Sequence, residues 1–483
     1  MASRAKVKVY GKKKGYNLVE SLQNLRLTPS PQCRKGMLLF FSNLAGEVLT
    51  DLIEKGTERH ALGELPDNIV TLPKLQADRP LTEEIKETRA EQLEKNVVRA
   101  KRRQHEPELF ALTSLECVDS RVLGFGAYYH QWLDTFDIKK IAQGSYAAIL
   151  RMQVKDKPNL YTIWKLMPLK PSKGKGSRQE GQTLIQDAAT EAKALAAMSQ
   201  SPGFVEFRSA QVLRGSLPLE LCSTYEEWER TLPEEILEES KTRMDFPDEQ
   251  LWLFIEMTDA GTDLEVLLKE RSSDKSILAQ RGRLTAYETW DIFWGIANAL
   301  AHGEAHAEFE HRDLHPGNVC IKKTGRPSSK DHSPSVKKYT DLEVTLIDYT
   351  LSRAKLEDGT VLANSMRDKG LFEQSSEDQH DGMQYEIYRH MRTWMIGQQK
   401  ARPAQEEKEW RMFLPMTNIM WLSHLLRILL DKTAKRVAGE EGILARGLEE
   451  IGSKLQMEDL HGWELCSATE LIEYEIRLDM DEG

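Results

Sequence analysis

Between residues 120 and 257, apolar residues recur in short runs that are typical of strands, and one run has helical spacing. The segments "FDIKKIAQGSYAAILRMQV", "NLYTIWKLMPL" and "QLWLFIEM" predict strands, the last of them buried, whereas "TLIQDAATEAKALAAMS" predicts a helix. Beyond Asp263 the apolar spacing is mostly helical. The pattern therefore predicts an α+β fold of two lobes, with a small antiparallel β-rich N-lobe carrying one main helix and a larger helical C-lobe.

The same pattern divides the chain into three parts. Residues 1–104 are expected to form a basic, partly disordered extension with a helix near 82–103, whose acidic first turns and basic last turn suit the helix dipole. Residues 120–257 are assigned to the N-lobe, and residues 258–483 to the hinge and the C-lobe. Two polar insertions are expected in the N-lobe, at 170–181 and 222–248.

The composition and the cysteine spacing indicate the cellular compartment. The hydrophobic fraction of 40% and the charged fraction of 29% are ordinary for a soluble globular protein. The five cysteines lie far apart without a CxxC pair, which favours a reducing compartment. The N-terminus lacks the apolar core of a signal peptide, and no apolar window is long enough to span a bilayer. We expect an intracellular protein without a membrane segment.

Charge is distributed unevenly along the chain. Residues 1–104 hold 20 Lys and Arg against 13 Asp and Glu, whereas the remaining residues hold 46 against 63. The extension should therefore prefer acidic partners and the globular body basic ones. The basic clusters "SRAKVKVYGKKKG" and "KNVVRAKRRQ" fit a nuclear-import or nucleic-acid patch, and they fit equally a solvated arm and helix end.

Lys165 and Glu191 are candidates for an ion pair. Lys165 lies in the strand "YTIWKLMPL", where a lone lysine is most often an exposed edge residue. Glu191 shares the apolar stripe of its predicted helix with Leu184, Ala188 and Leu195. A carboxylate on a buried stripe is costly unless it is paired, so pairing with Lys165 explains both residues. A lysine in this strand is the type that grips nucleotide phosphates.

The stretch "HRDLHPGNV", residues 311–319, carries the chemistry of a phosphotransferase. Asp313 is the candidate base for a substrate hydroxyl, and Asn318 the candidate ligand of a metal ion. Asp348 follows the apolar strand "EVTLI" 30 residues after Asn318, and would hold Mg²⁺ that bridges the phosphates. The loop alone leaves two classes open, because antibiotic and choline kinases carry a very similar one.

The phosphate-covering loop is the weakest part of the pattern. A protein kinase has G-x-G-x-x-G-x-V, whereas "AQGSYAAI" retains only Gly144. Ala142 and Ala147 stand at the other glycine positions, and Ile149 at the valine position. Alanine disfavours positive φ and adds a methyl group, so a looser contact with the phosphates is expected.

From about residue 125 onward the chain resembles the haspin family of atypical eukaryotic protein kinases, and in particular its fungal members. The resemblance rests on "IDYTLSR" (347–353), "FEHRDLHPGNVCIKK" (309–323), "GTDLE" (261–265), "YEIYRHM" (385–391), "TNIMWLSHLL" (417–426) and "SATELI" (467–472). These motifs favour a protein kinase over a small-molecule kinase. Pro316 stands where many members have Trp, and no Ala-Pro-Glu follows Asp348.

The resemblance implies a serine/threonine kinase that uses ATP and Mg²⁺, with an activation segment folded without phosphorylation. It implies Met257 as the gatekeeper and Thr258–Ala260 as a hinge that pairs with adenine. The implied ATP contacts are Ile141, Ala142, Gln143, Gly144, Ser145, Ile149, Lys165, Met257, Thr258, Asp259, Ala260 and Asp263. The implied substrate contacts are Asp263, Glu265, His315 and Asp368. "SMRDKG" at 365–370 departs from the acidic segment of relatives.

The resemblance also implies a substrate and a place. Family members phosphorylate a threonine near the N-terminus of histone H3 at mitotic chromatin, so a nuclear monomer that accepts a basic peptide is expected, with some protein in the cytoplasm. The extension would then contact DNA or chromatin. Two alternatives remain: a pseudokinase that binds chromatin as a scaffold, and a small-molecule phosphotransferase.

Overall fold

The computed structural model describes most of the chain after residue 106. The described residues are 107–144, 147–170, 181–232, 244–269, 277–278, 283–325, 336–364, 366, 370–374, 379–396, 403–434, 438–455 and 465–481. The predicted extension 1–104 and its helix near 82–103 lie outside this part of the chain. Residues 171–180 of the first insertion and residues 233–243 of the second lie outside it as well.

The N-lobe is built on one seven-stranded sheet. Its strands are β1 (Asp119–Gly124), β2 (Phe136–Gln143), β3 (Ala148–Val154), β4 (Tyr161–Lys170), β5 (Thr183–Leu184), β6 (Phe207–Arg214) and β7 (Leu251–Met257). Their order in the sheet is β1-β6-β7-β4-β3-β2, with β5 beside β4. The lobe's helices are α1 (Pro107–Thr113), α2 (Phe125–His130), α3 (Ile185–Met198) and α4 (Leu219–Glu229). The predicted strands and the main helix, α3, are confirmed.

Two pairings differ from the antiparallel sheet that we expected. β1 pairs with β6, and β4 with β5, in parallel. Parallel neighbours require a long connection, and the chain between β1 and β6 contains four strands and α3. The lobe also begins ahead of residue 120, because Leu109 and Leu112 of α1 are buried in the core that includes Ala188 and Leu195 of α3.

The second insertion has a described helical part. Its predicted range, 222–248, begins inside α4, which packs on β2. The contact is made by the Lys140 ammonium, which lies 4.3 Å from the ring centroid of Tyr225 and 3.9 Å from that of Trp228. A cation over aromatic rings is stabilised by their π-electrons. The acidic insertion is thus anchored to the sheet by a lysine between two rings.

The C-lobe is mainly helical, as predicted. Its helices are α5 (Leu264–Leu268), α6 (Ala286–Ala307), α7 (Gln379–Ile396), α8 (Pro403–Trp410), α9 (Met416–Lys432), α10 (Gly439–Lys454) and α11 (Ala468–Asp481). Two small sheets complete it, formed by β8 (Thr262–Asp263), β9 (Val319–Lys323) and β10 (Leu342–Leu346), and by β11 (Arg353–Lys355) and β12 (Val361–Ala363). No helix among the described residues is long and apolar enough to cross a bilayer.

Helix α6 is the axis of the C-lobe. A capping box between Thr285 and Glu288 starts it by satisfying otherwise unpaired backbone N–H groups. Its apolar residues are buried against α9, α10 and α11 and against strand β10. Helix α6 ends at Glu308, whose backbone is left-handed with φ 44°. The chain then leads directly into the predicted phosphotransferase loop, so the packing of α6 fixes where that loop begins.

Candidate active site

The predicted ion pair between Lys165 and Glu191 is present at the base of the cleft. Lys165 lies near the middle of β4, between Ile149 of β3 and Ile255 of β7. Glu191 projects from the buried face of α3, and its side chain is 2% exposed. The Lys165 ammonium donates to Glu191 Oε1. The pair links the sheet to the main helix of the N-lobe.

Asp348 brings a second carboxylate to the same ammonium. Its Oδ1 lies 3.4 Å from Lys165 Nζ, although the two residues belong to different lobes. Thr350 Oγ1 lies 2.5 Å from Asp348 Oδ1 and 3.1 Å from Glu191 Oε2, so this hydroxyl lies between the two carboxylates. Asp348 adopts a left-handed backbone with φ 61°, which is strained for a residue other than glycine. Such strain is common at functional sites.

The charges of this cluster hold one another in place. Burial by itself would lower the pKa of Lys165, but Asp348 and Glu191 outweigh burial and raise that pKa above its ordinary value. Burial by itself would raise the pKa of Asp348, but Lys165 and the hydrogen bonds from Thr350 lower it to about 2. Burial raises the pKa of Glu191. At neutral pH, Lys165 is therefore a cation and Asp348 an anion, as a phosphate and metal site requires.

Strand register places Asn318 beside the segment that carries Asp348. β9 and β10 are antiparallel, with Val319 opposite Leu346. The residue before β9 therefore faces the residue after β10, and the Ile347 backbone N–H donates to the Asn318 carbonyl at 3.1 Å. Asn318 thus lies beside the residue that precedes Asp348, because the two antiparallel strands join these segments.

The loop that carries Asp313 is fixed by its own side chains. Asn318 Nδ2 donates to the Asp313 carbonyl at 2.7 Å, which closes the loop across the intervening residues. His311 is fully buried, and its Nε2 lies 3.0 Å from the Ile347 carbonyl. A carbonyl can only accept, so Nε2 carries the proton of His311. The histidine and the asparagine together join the Asp313 loop to the strand end at Asp348.

His311 is held as a neutral structural residue. Its Nδ1 is buried without a hydrogen-bond partner among the described residues, so a second proton there would be an unpaired buried donor. Burial accordingly lowers the pKa of His311 to about 4. The imidazole is therefore suited to supporting the loop and unsuited to accepting a proton from a substrate at neutral pH.

Asn318 and Asp348 fit the ligand set of Mg²⁺. Because Asn318 Nδ2 donates to Asp313, its amide oxygen is the atom that remains to coordinate a cation. Asp348 is ionised, and carboxylate and amide oxygens are ligands that Mg²⁺ prefers. No cluster of three His, Cys, Asp or Glu is found in the described part of the chain. Mg²⁺ usually takes one or two protein ligands and completes its shell with water and phosphate oxygens.

The loop over the cleft is a tight hairpin between β2 and β3. The Gly144 N–H donates to the Ala147 carbonyl at 2.8 Å, whereas Ser145 lies outside the described residues. Ala142 lies in the extended backbone of β2, so an alanine causes no backbone strain at this position, and the looser phosphate contact expected from the missing glycines stays a prediction. A bulge between Lys140 and Ala142 leaves Ile141 44% exposed ahead of this turn, with Gln143 half-buried beyond it.

The hinge after Met257 is held by side-chain bonds. Asp259 accepts a hydrogen bond from the Tyr161 hydroxyl of β4 at 2.8 Å, and it forms an ion pair with Lys322 of β9 at 3.0 Å. Its side chain therefore contacts both lobes. The Thr258 N–H already donates to the Glu206 carbonyl at 3.0 Å. Within the described residues, the Thr258 carbonyl and the N–H and carbonyl groups of Ala260 make no backbone hydrogen bond. These groups are therefore available for the predicted contacts with adenine.

Three of the four predicted substrate residues lie together. Asp263 caps α5 by accepting from the Val266 N–H at 2.8 Å, and burial raises its pKa. Glu265 and His315 both lie next to Gly317, where an added Cβ would be 3.1 Å from Glu265 Oε2 and 3.0 Å from His315 Nδ1. The predicted substrate contact Asp368 lies outside the described residues. An acidic edge thus borders the loop that carries Asp313.

A family comparison agrees with this arrangement. The model of the haspin-like kinase domain matches residues 68–461, which is well over half of the chain. The chain belongs to the haspin kinase family. The predicted family is therefore confirmed.

Individual haspin kinases match over long segments. The haspin homologue Hrk1 of Schizosaccharomyces pombe is 29% identical over 318 residues, covering 62% of this chain and 56% of the relative. The Drosophila melanogaster haspin homologue is 29% identical over 335 residues, covering 65% and 52%. Bos taurus haspin is 31% identical over 244 residues, covering 49% and 26%. The chain thus spans about half the length of the first two curated relatives.

Chains of solved structures also match this chain. The CAK complex from Chaetomium thermophilum bound to ATP-γ-S is 16% identical, and the match covers 61% of this chain and 70% of that one. Its TM-score of 0.27 is too low to support a conclusion about this haspin kinase.

Two residues of the site were not assigned roles from sequence. Thr350 bridges Glu191 and Asp348, and Tyr388 donates its hydroxyl proton to Asp313 Oδ1. Both lie in motifs that mark the haspin family, "IDYTLSR" and "YEIYRHM", so the motifs located them without indicating their function.

Proposed function

We propose that this chain is a serine/threonine protein kinase that transfers the γ-phosphoryl group of ATP, with Mg²⁺, to a threonine in a basic peptide. The observation that carries the proposal is the charged cluster of Lys165, Glu191 and Asp348 beside the loop of Asp313 and Asn318. Phosphoryl transfer needs positioning and charge neutralisation more than covalent help from the protein. These side chains supply a cation, metal ligands and a base.

Each residue has one role in the transfer. Lys165, aligned by Glu191, binds phosphate oxygens of the nucleotide. Asn318 and Asp348 would hold Mg²⁺, which would neutralise phosphate charge. Asp313 accepts the proton of the threonine hydroxyl while the hydroxyl oxygen bonds to the γ-phosphorus and the bond to the β-phosphate oxygen breaks. A positioned base of this kind contributes about 10²- to 10⁴-fold.

Charge near the loop supports the proposed substrate class. Asp263 is partly buried and Glu265 is exposed on α5, next to the loop of Asp313. The residues beyond 104 carry 63 acidic against 46 basic side chains, which attracts basic peptides over a Debye length. A peptide with closely spaced Arg and Lys beside its threonine fits this edge, and the histone H3 N-terminal tail at mitotic chromatin is the substrate that we propose.

The extension gives a reason for a location on chromatin. Residues 1–104 carry a balance of 20 basic to 13 acidic side chains, and basic segments bind the phosphate backbone of DNA. We therefore propose a nuclear protein whose extension contacts DNA while the kinase domain acts, as a monomer, on the histone tail.

The test is a transfer assay with the purified full chain, Mg²⁺ and γ-labelled ATP. The acceptors are the H3 tail peptide, an acidic threonine peptide, choline and an aminoglycoside. We expect label in the H3 peptide, and a loss of about 10²- to 10⁴-fold in kcat for Asp313→Asn. The matched control is Asp137→Asn on β2, an exposed carboxylate, which should leave kcat unchanged.

Each other result has a distinct meaning. Label in small molecules alone would replace the protein kinase by a small-molecule phosphotransferase. Nucleotide binding without transfer to any acceptor would indicate a pseudokinase. Equal kcat/KM for acidic and basic peptides at low salt would contradict the proposed preference for the histone tail. The proposed kinase activity would still stand.

A further inference from the structure

Tyr388 reaches the proposed base from a distant part of the chain. It lies on α7 (Gln379–Ile396), 75 residues beyond Asp313, and its hydroxyl donates to Asp313 Oδ1. The tyrosine is 2% exposed and Asp313 is partly buried, so the bond is partly shielded from water. A hydrogen bond to a charged group in such surroundings is stronger than one at a surface.

The direction of each hydrogen bond here is fixed by chemistry. An ionised carboxylate can only accept, so the single hydroxyl proton of Tyr388 must point to Asp313. The amide of Gln384, one turn earlier on α7, lies 3.1 Å from the same hydroxyl and must therefore donate Nε2–H to it. The result is an ordered chain in which Gln384 donates to Tyr388, and Tyr388 donates to Asp313.

Helix α9 (Met416–Lys432) holds both partners of this bond in register. The Tyr388 ring packs edge-on against Trp421, with centroids 5.4 Å apart, and Trp421 is fully buried. Three residues earlier on α9, Asn418 Oδ1 accepts the His311 N–H at 3.0 Å, and so holds the start of the Asp313 loop. Residues three apart lie on one face of a helix, so a single rigid element sets the distance between tyrosine and base.

We propose that Tyr388 is a positioning residue that holds the Asp313 carboxylate in one orientation toward the acceptor hydroxyl. The inference rests on the proposed kinase function, because it assigns Asp313 the role of base. It adds to the site a residue that lies outside the loop of Asp313. A carboxylate free to rotate about its side-chain bonds would spend part of its time misaligned, and misalignment of about 1 Å can cost on the order of a hundredfold in rate.

The test compares Tyr388→Phe with Tyr385→Phe. The first removes the hydroxyl that binds Asp313, and the second removes a hydroxyl from the same helix, three residues away. For Tyr388→Phe we expect kcat to fall about ten- to a hundredfold, the range for losing a hydrogen bond to a charged group. The KM values for ATP and peptide should stay unchanged, because the tyrosine acts on the base and not on binding. Tyr385→Phe should leave both parameters unchanged.

Other outcomes would overturn the proposal in recognisable ways. An increase in kcat for Tyr388→Phe would mean that the tyrosine blocks the base. A lower melting temperature with unchanged kcat per folded molecule would mean that it only packs the lobe. Gln384→Leu should shift kcat in the same direction by a smaller factor, and an unchanged kcat there would remove Gln384 from the chain of bonds.

A crystal structure separates this proposal from the proposed function. If the wild-type protein transfers phosphate to no acceptor, the kinase assignment fails on its own. High-resolution structures of the wild type and Tyr388→Phe then still decide the role of the tyrosine. We expect the Asp313 carboxylate to occupy more than one orientation in the variant, and a single unchanged orientation would overturn the proposal.

Discussion

In the described part of the chain, two ion pairs have both side chains buried, and the two pairs serve different purposes. In the cleft, Lys165 pairs with Glu191, with side-chain exposures of 10% and 2%. In the C-lobe, Arg312 pairs with Glu310 at 3.0 Å, and both side chains are 0% exposed. Removing charges from water is costly in each case, and attraction alone seldom compensates for it. The difference lies in what else binds each pair.

The C-lobe pair is saturated by backbone and side-chain partners. Arg312 donates to the Trp410 carbonyl at 2.8 Å and to the Met412 carbonyl at 3.4 Å. Glu310 accepts from the Leu414 N–H at 2.8 Å and from Thr417 Oγ1 at 2.9 Å. A pair so fully bound joins the loop that begins at His311 to helices α8 and α9, which is a structural role.

The cleft pair is instead shared with a third charge. Lys165 lies between Glu191 and Asp348, and Asp348 faces the cleft with its side chain 34% exposed. A phosphate or a cation can therefore compete for the same groups. The contrast teaches that burial alone does not separate structural from functional ion pairs, whereas saturation by protein partners does.

The largest effect should come from breaking the saturated pair. Arg312→Met leaves the Glu310 carboxylate buried without its cation, and such a loss typically costs about 3–5 kcal/mol. We expect the free energy of unfolding, measured by urea denaturation, to fall by that amount. The control is Arg121→Met, which breaks an exposed 2.6 Å pair with Asp119 and should cost less than about 1 kcal/mol. Equal losses in the two variants would contradict the structural role.

Breaking the cleft pair should affect activity more than stability. Lys165→Met removes the phosphate-binding cation, and kcat/KM should fall on the order of a hundredfold, as when other preorganised donors are lost. Stability should fall less than in Arg312→Met, because burial already raises the pKa of Glu191 and the carboxyl can take up a proton.

A double-mutant cycle sharpens this prediction. Lys165→Met and Glu191→Gln act through one another, so the double variant should be less impaired in kcat/KM than the two single effects combined. Interaction energies between residues in contact are about 0.5–3 kcal/mol. Additive losses would show that Glu191 does not act through Lys165.

The sequence predicted the cleft pair more fully than the saturated one. A carboxylate on an apolar helix stripe needs a partner, and Lys165 was the cation that fitted, so a local pattern sufficed for Glu191. The motif order also predicted that Asn318 and Asp348 share one site, whereas the strand register that brings Asn318 beside Ile347 is a tertiary fact. These cases succeed because periodicity and spacing along the chain reflect them.

Other contacts had no local signal. Asp259 bonds to Tyr161, 98 residues earlier, and to Lys322, 63 residues later. Tyr388 bonds to Asp313, 75 residues before it. The parallel pairing of β1 with β6 likewise joins strands from opposite ends of the N-lobe. Each depends on how helices and strands pack in three dimensions, which periodicity does not encode.

Another buried carboxylate, Glu304, should give the smallest change in stability. It tests the comparison because it has hydrogen-bond donors around it in place of a cation. Glu304 on α6 is 1% exposed. It accepts hydrogen bonds from Asn418, the backbone of Ala468 and both donors of Thr469, at 2.9–3.1 Å. No ion pair is found for it in the described part of the chain. Burial raises its pKa to about 7, in spite of these donors.

The sign of the resulting pH dependence follows from this raised pKa. Between the unfolded value near 4.5 and the folded value of about 7, the folded state holds a proton that the unfolded state has lost. The contribution of Glu304 to the free energy of unfolding is therefore greatest at low pH, decreases as pH rises through that window, and levels off above it. Glu304→Gln keeps the shape and cannot titrate. Urea unfolding of both proteins should show the stability of the wild type relative to the variant falling by about 1 kcal/mol between about pH 6 and 7.5. A difference that stays constant over this range would mean that the four donors keep Glu304 ionised. Hydrogen bonds alone would then stabilise the charge of Glu304, whereas Glu191 and Glu310 each have a cation.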